Sequence, residues 1–299
     1  MLIDRWGRLL ERLDISVTRR CNLSCAYCHR SASMKSSERE GELTSREIGR
    51  IARIARELGV RNASISGGEP LVRGDICKVI SAVKRAGMKE ISLTTNGTHL
   101  GRLSRSLKKA GLSRVEVTID YPALARFGKH ISMVRRGLEN AREAGLSPDS
   151  LEMTVMKGRN EGDVWRMFEL AKSNGATLKL RELSRCASSE FRENNHEPLA
   201  SIEPELLSRS ETVFDHAAHG KKDYHVKGAQ IELSRPEHHE ESCKRCATIR
   251  ISSEGKLVPC AMRPEKGIDF IGAMRKGADD DELKRLFLLA VDKRELRER

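Results

Sequence analysis

Three cysteines fall in the stretch Cys21-Asn22-Leu23-Ser24-Cys25-Ala26-Tyr27-Cys28, and three more stand at Cys243, Cys246 and Cys260. Three thiolates on one short loop can hold three irons of a [4Fe–4S] cluster, which as a rule needs four ligands. The fourth iron is then open to a group that is not protein. A structural zinc site is the alternative, although zinc spacings usually come as CxxC pairs closed by Cys or His. The second set reads CxxC-x13-C and again leaves one coordination position vacant. There, zinc closed by His238 or His239 is the competing reading.

The elements that must position these residues follow from the pattern around them. Leu13 to Thr18, ahead of the first cysteines, reads as a buried strand. Thr44-Ser45-Arg46-Glu47 is a capping box, followed by Ile48, Ile51, Ala55 and Leu58 at helical spacing, with Gly59 as the stop. Strands are expected at 63–66, 91–94, 115–120, 151–156 and 178–183, and helices at about 75–85, 102–110, 132–144 and 163–173. Six strands alternating with helices imply a parallel sheet with crossover helices. Six units are too few to close an eight-stranded barrel. From Ser184 to about Glu241 the pattern lapses into a polar segment with scattered histidines, which are expected to be solvated. Ser253-Glu254-Gly255, between Ile249–Ser252 and Lys256–Val258, reads as a hairpin turn that would carry Cys260 back towards Cys243 and Cys246. A polar, serine-rich surface loop is expected at about 31–41.

Composition narrows the class. The chain has 299 residues, 38% hydrophobic and 33% charged, enough for one large barrel or two modest domains. No apolar run reaches membrane-spanning length and no signal peptide is evident, so a cytoplasmic location is expected. Eight cysteines in such a chain point to metal or redox chemistry rather than disulfides. Cys77 reads as a small core residue, and Cys186 has no assignment. The net charge of +12 favours anionic partners, but the cations are spread along the chain. With 4% aromatics there is little to stack on bases, which argues against nucleic acid.

The first cysteine stretch, including Tyr27 before its third cysteine, resembles the signature of the radical S-adenosylmethionine (SAM) superfamily. Adding Gly67-Gly68-Glu69-Pro70, Thr94-Thr95-Asn96-Gly97 and the late CxxC-x13-C, nearly the whole chain is similar to the GTP 3′,8-cyclases of molybdenum-cofactor biosynthesis. The resemblance implies an α/β fold: a partial (β/α)6 TIM-type barrel over residues 1–184, with a C-terminal extension over 185–299 carrying an auxiliary iron–sulfur cluster. It implies two [4Fe–4S] clusters, SAM, a purine nucleotide as the small-molecule substrate, and a low-potential electron donor such as a ferredoxin or flavodoxin. Residue by residue, Cys21, Cys25 and Cys28 would hold the SAM cluster, and Cys243, Cys246 and Cys260 the second. Tyr27, Gly68, Glu69 and Thr118 match SAM-contact positions, and Thr94 and Arg250 match positions facing the GTP.

Departures from that pattern bear on the substrate. Where the family carries cations that reach the nucleotide, this chain has Asp14, Ser64, Ser150 and Thr248. Each lost cation removes a charge-assisted contact of about 1.5–3 kcal/mol. The family's terminal Gly-Gly pair is also missing, the sequence ending Glu295-Leu296-Arg297-Glu298-Arg299.

Overall fold

A computed structural model describes residues 1–28, 41–119, 128–146, 148–183, 187–216, 221–234, 243–260 and 263–296. The expected loop at 31–40, Cys186, His219, His238 and His239 lie outside the described residues.

The alternation read from the sequence is present. Strands β1 (Arg12–Ser16), β2 (Asn62–Ser66), β3 (Glu90–Thr95), β4 (Arg114–Thr118), β5 (Pro148–Val155) and β6 (Thr177–Glu182) alternate with helices α1 (Ser45–Glu57), α2 (Ile76–Arg85), α3 (Leu100–Ala110), α4 (Gly128–Glu143) and α5 (Val164–Ser173). The capping box at the start of α1 forms as expected: the Thr44 hydroxyl accepts from the Glu47 amide at 3.2 Å, and Glu47 accepts from the Thr44 amide at 2.7 Å.

The segment after residue 184 is a correction. It was expected to be irregular, yet it contains α6 (Ser189–Asn195), α7 (Glu203–Arg209) and the meander β7 (Thr212–His216), β8 (Lys221–Val226) and β9 (Ala229–Ser234). Tyr224, Val226, Ile231 and Leu233 are buried at every second position, and Lys227 and Gly228 turn between them with φ of 47° and 73°. Both signs of an αL–αL hairpin turn were there, but polar residues on the other face hid the alternation. Beyond them come β10 (Thr248–Ile251), β11 (Lys256–Val258), β12 (Ile268–Asp269), α8 (Phe270–Arg275) and α9 (Asp280–Asp292).

The twelve strands among the described residues belong to one sheet, in the order β12-β11-β10-β1-β2-β3-β4-β5-β6-β9-β8-β7. From β10 to β9 every neighbour pair is parallel. The barrel stays open, because β10 and β9 pair outward with β11 and β8 instead of with each other. Leu13, Ile15, Ile65, Leu93, Val117, Leu151, Met153, Leu178 and Leu180 face the helices in one continuous core. The alternate positions are polar, so the inner face is a polar lumen. Strands of a closed, filled parallel barrel would be apolar on both faces.

The last helix closes the outer layer. Phe287 of α9 is fully buried and meets Phe270 edge to face, with centroids 6.3 Å apart. Phe287→Ala is expected to destabilise the protein by about 3–5 kcal/mol, as truncation of buried aromatics generally does. Urea unfolding would read this as a lower midpoint at unchanged slope.

Candidate active site

Strand direction places the two cysteine sets at opposite ends of the lumen. Cys21, Cys25 and Cys28 follow β1, at the carboxyl ends of the parallel strands. Cys243 and Cys246 precede β10, which runs parallel to β1 with Thr248 opposite Arg12, so they lie at the other end. The expected β10–β11 hairpin forms and returns Cys260 to that same end. Five residues of β1 at about 3.3 Å each put the two loops roughly 15–20 Å apart.

The first cysteine loop is fastened on both sides. The Gly68 amide donates to the Thr18 carbonyl and the Glu69 amide to the Arg20 carbonyl, each at 2.8 Å. A Cβ on Gly68 would stand 2.2 Å from the Arg20 oxygen, so this position tolerates only glycine. Asn22 donates to Thr98 at 2.8 Å and accepts from Asn96 at 2.9 Å. Tyr27 reaches the far side of the mouth, packing with Met156, Leu183 and Ala187 beyond β5 and β6. Donors also point at sulfur: the Leu23 amide lies 3.4 Å and Asn96 Nδ2 3.9 Å from Cys21 Sγ. Burial pushes the Cys21 thiol up, a cost that sulfur-directed donors and a cationic cluster core offset.

Glu69 is 1% exposed. Its Oε1 accepts from the Leu71 amide at 2.9 Å and the Thr95 hydroxyl at 2.7 Å, and its Oε2 from the Asn96 amide at 2.7 Å. Burial raises its pKa despite these donors. The carboxylate therefore ties the GGEP turn to the end of β3. Behind it, Arg73 donates to the carbonyls of Val17 at 2.7 Å and Leu43 at 3.0 Å, and Arg20 pairs with Glu42 at 3.1 Å.

The second set sits in a basic, buried bracket that motif reading missed. Arg294, 2% exposed, donates to the Cys246 carbonyl at 2.6 Å, the Pro259 carbonyl at 3.2 Å and Asp4 at 2.9 Å. One guanidinium thereby links Cys246 to the residue beside Cys260. Arg8 donates to the Cys243 carbonyl at 2.8 Å, approaches its Sγ at 3.5 Å and pairs with Asp4 at 2.7 Å. Burial alone would raise Cys246, but a backbone hydrogen bond at Thr248 and the nearby Arg294 and Arg8 outweigh it and lower its pKa. Two guanidiniums around one carboxylate leave a net positive charge beside Cys243 and Cys246. An anionic thiolate-bound cluster fits that site.

Among the described residues, no three His, Cys, Asp or Glu side chains close on a single-ion site. His196 lies 3.4 Å from Glu182, His216 lies 2.9 Å from Asp223, and His225 packs edge-on to Phe214, whereas the His99 ring nitrogen stands 3.4 Å from Asn22 Nδ2, beside Cys21.

Between the two ends, the lumen positions are Asp14 on β1, Ser64 on β2, Thr94 on β3, Glu116 and Thr118 on β4, Ser150 and Glu152 on β5, Lys179 and Arg181 on β6, Glu232 on β9 and Arg250 on β10. Asp14 stands in register with Arg250 and pairs with it at 3.3 Å, while also accepting from Ser66 at 2.8 Å. Arg181 grips Glu152 with two hydrogen bonds of 2.8 and 3.1 Å, and Lys179 lies 4.0 Å from the same carboxylate. Burial would lower the Arg181 pKa, but Glu152 overrides it and holds the guanidinium charged.

Comparison with known proteins agrees with this architecture. Residues 15–171 match the Radical SAM superfamily and residues 178–299 match Molybdenum Cofactor Synthesis C. A probable GTP 3′,8-cyclase of Methanothermobacter thermautotrophicus is 36% identical over 299 residues, covering 97% of each chain. The one of Thermococcus kodakarensis is 37% identical over 306 residues, covering 99% of each. Streptococcus suis SuiB bound to S-adenosylmethionine superposes with a TM-score of 0.62 over 85% of this chain at 15% identity, a likeness of fold. This chain spans 61% of the length of that protein. Among the described residues, no helix is long and apolar enough to cross a membrane. The chain is a radical SAM enzyme and belongs to the GTP 3′,8-cyclase family, whose cofactors are SAM and two [4Fe–4S] clusters.

Proposed function

We propose that the chain is a radical SAM cyclase of the GTP 3′,8-cyclase type, acting on a guanosine compound held in the lumen between two clusters. The observation that carries this reading is the placement of the two three-cysteine sets at opposite ends of one polar lumen. Cys21, Cys25 and Cys28 would hold one cluster, and Cys243, Cys246 and Cys260 the other, each set leaving one iron for a small molecule. When bound, the first cluster and SAM would supply a 5′-deoxyadenosyl radical to take hydrogen from the ribose 3′ carbon; that carbon would bond to C8 as the C8=N7 double bond opens, and one electron from the low-potential donor with one proton would complete the product.

The chain's own residues bind and align. The GGEP backbone, held against the Thr18–Arg20 segment, offers the edge on which the SAM amino group would rest, with Glu69 keeping that edge rigid. Thr118 faces the SAM end of the lumen, with Tyr27 anchoring the loop above it. Thr94 and Arg250 lie on the lumen wall, where the substrate would stand. Residues 1–184 thus serve radical initiation, and 185–299 substrate capture and closure. Cysteines held as free thiols and oxygen-sensitive clusters support a reducing compartment, the cytoplasm, and a low-potential electron donor.

The test is anaerobic: the reconstituted, reduced protein is incubated with SAM and, separately, guanosine, GMP, GDP and GTP. Consumption of at least one, with 5′-deoxyadenosine formed alongside a 3′,8-linked product, is expected. Cleavage of SAM with none of the four consumed would overturn the reading.

A further inference from the structure

The net charge of +12, spread along the sequence, is not spread over the surface. Helix α2 carries three Lys or Arg residues and α3 four, and neither helix carries an acid. Lys78, Lys84 and Arg85 on α2 are exposed, as are Arg102, Arg105, Lys108 and Lys109 on α3. The Lys84 stem lies over Gly111 at the end of α3, which joins the two sets. Between α1 and α2, where Gly49 packs on Ala82, runs an open groove of about 580 Å³ lined by Arg46, Arg53, Lys78 and Arg85. Arg53 is committed to Glu57 and Asp280. Arg46, Lys78, Arg85 and the four cations of α3 make no ion pair among the described residues.

The acids at the border of this face are held elsewhere. Asp75 pairs with Arg73, Glu47 with Arg275 and Glu90 with Arg114, each at 2.8 Å. On the far border α4 sets Arg135, Arg136 and Arg142 against Glu139 and Glu143, so it does not neutralise the patch. The face also stands behind the first cysteine loop. The GGEP turn, which holds Thr18 and Arg20, leads into α2. The turn after β3 holds Asn22 through Asn96 and Thr98, with His99 at 3.4 Å, and Arg102 follows one turn along α3.

Few occupants fit. Residues 41–119 contain no Phe, Trp or Tyr, so nothing here stacks on bases. None of the large exposed hydrophobic side chains lies on α1, α2 or α3, so nothing here inserts into a bilayer. A second copy would meet its own sign of charge. An acidic protein surface complements the patch, and charge steering suits a partner that must arrive and leave at each turnover.

We propose that the exposed face of α2 and α3, with the groove shared with α1, is the docking surface for an acidic, low-potential electron-transfer protein that reduces the first cluster. The inference rests on the reading of that cluster as the site of radical initiation and is independent of which substrate follows. The step is a one-electron transfer: the donor is oxidised, the cluster is reduced, and no bond is made or broken.

The experiment offers an acidic flavodoxin and an acidic ferredoxin to the reconstituted protein and carries forward whichever reduces it. Calorimetry reads binding of that donor, and 5′-deoxyadenosine formation from SAM reads reduction, driven by the donor or by dithionite. Lys78→Glu with Arg105→Glu reverses two cations of the face. Arg166→Glu with Lys172→Glu, on α5, makes the same change in net charge elsewhere. In the first variant, donor affinity and the donor-driven rate should each fall at least about tenfold, while the dithionite-driven rate stays within about twofold. The α5 variant should stay within about threefold of the unaltered protein in all three measurements. Added salt should slow donor-driven reduction of the unaltered protein far more than that of the first variant. Undiminished donor binding and rate in the first variant, an equal fall in its dithionite-driven rate, or an equal loss in the α5 variant overturns the inference. So does failure of both donors to reduce a protein that dithionite activates; GTP consumption under dithionite would then show the cyclase reading still standing.

Discussion

Replacing Gly68 by alanine is expected to abolish SAM cleavage while leaving the fold and the second cluster in place. The added Cβ would sit 2.2 Å from the Arg20 carbonyl oxygen and 2.7 Å from that of Arg19. Neither neighbour is the tip of a flexible side chain; both are backbone, one residue or two from Cys21. Relief requires the cysteine loop to lift off the GGEP turn, which breaks the Gly68–Thr18 and Glu69–Arg20 hydrogen bonds. Cys21, Cys25 and Cys28 then lose their common placement. The expected readout is iron falling from about eight to about four per chain, one cubane's worth, with SAM affinity reduced by more than about a hundredfold. The far-ultraviolet circular dichroism should stay unchanged. Full iron content and SAM binding within a few-fold of the unaltered protein would show that the loop does not depend on this contact.

The complementary variant is Arg294→Ala. Its guanidinium bonds to Asp4 and to the carbonyls of Cys246 and Pro259; Asp4 and Pro259 are buried with it and Cys246 is partly buried. Removing it leaves acceptors without donors and Asp4 with a single cation, Arg8. Breaking a buried pair of this kind costs about 3–5 kcal/mol. Asp4 reports the change in solution. Burial alone would raise its carboxyl, but the Arg8 amide and the Arg294 and Arg8 guanidiniums hold it below the usual range. A depressed carboxylate contributes stability above its unfolded pKa and loses it as pH falls through the folded value. The variant should therefore lose part of the fall in stability seen on acidification, besides losing the second cluster. Iron again drops to about four per chain, but here SAM cleavage by the first cluster survives. A variant that keeps both clusters and the parent's stability would refute the role given to Arg294. Arg294→Lys, which keeps the charge without the fork, should fall between the two.

These two positions also show what could be read from the chain beforehand. Gly68 lies in a local motif, and local motifs were legible: the cysteine loop, the GGEP turn, the capping box at Thr44 and the hairpin at Gly255 all stand where spacing put them. Arg294 and Arg8 carry little local signal: Arg8 is four residues from Asp4, but the contacts of Arg8 with Cys243 and of Arg294 with Asp4 join opposite ends of the chain. The same reason hid the Asp14–Arg250 pair: an aspartate in a strand reads as a loss of charge until the register of β1 and β10 puts an arginine opposite it. Tyr27 and Glu69 were legible as positions, but their packing against Met156 and hydrogen bonds to Thr95 and Asn96 appear only in three dimensions. The meander at 212–234 escaped notice because one face of each strand is polar and β7 is exposed along its length.

The place of β1 in the sheet has a consequence for biosynthesis. It is the first strand of the barrel to leave the ribosome, yet one of its two neighbours, β10, begins only at Thr248. Until that strand emerges, the backbone edge of β1 stays unpaired, with Leu13 and Ile15 lacking half their cover. Unpaired strand edges recruit other chains, and pairings between distant segments form slowly. A nascent chain stalled before residue 248 would thus carry an open sheet edge beside the cysteine loop. Productive delivery of iron and sulfide to that loop then belongs after the last strands have docked.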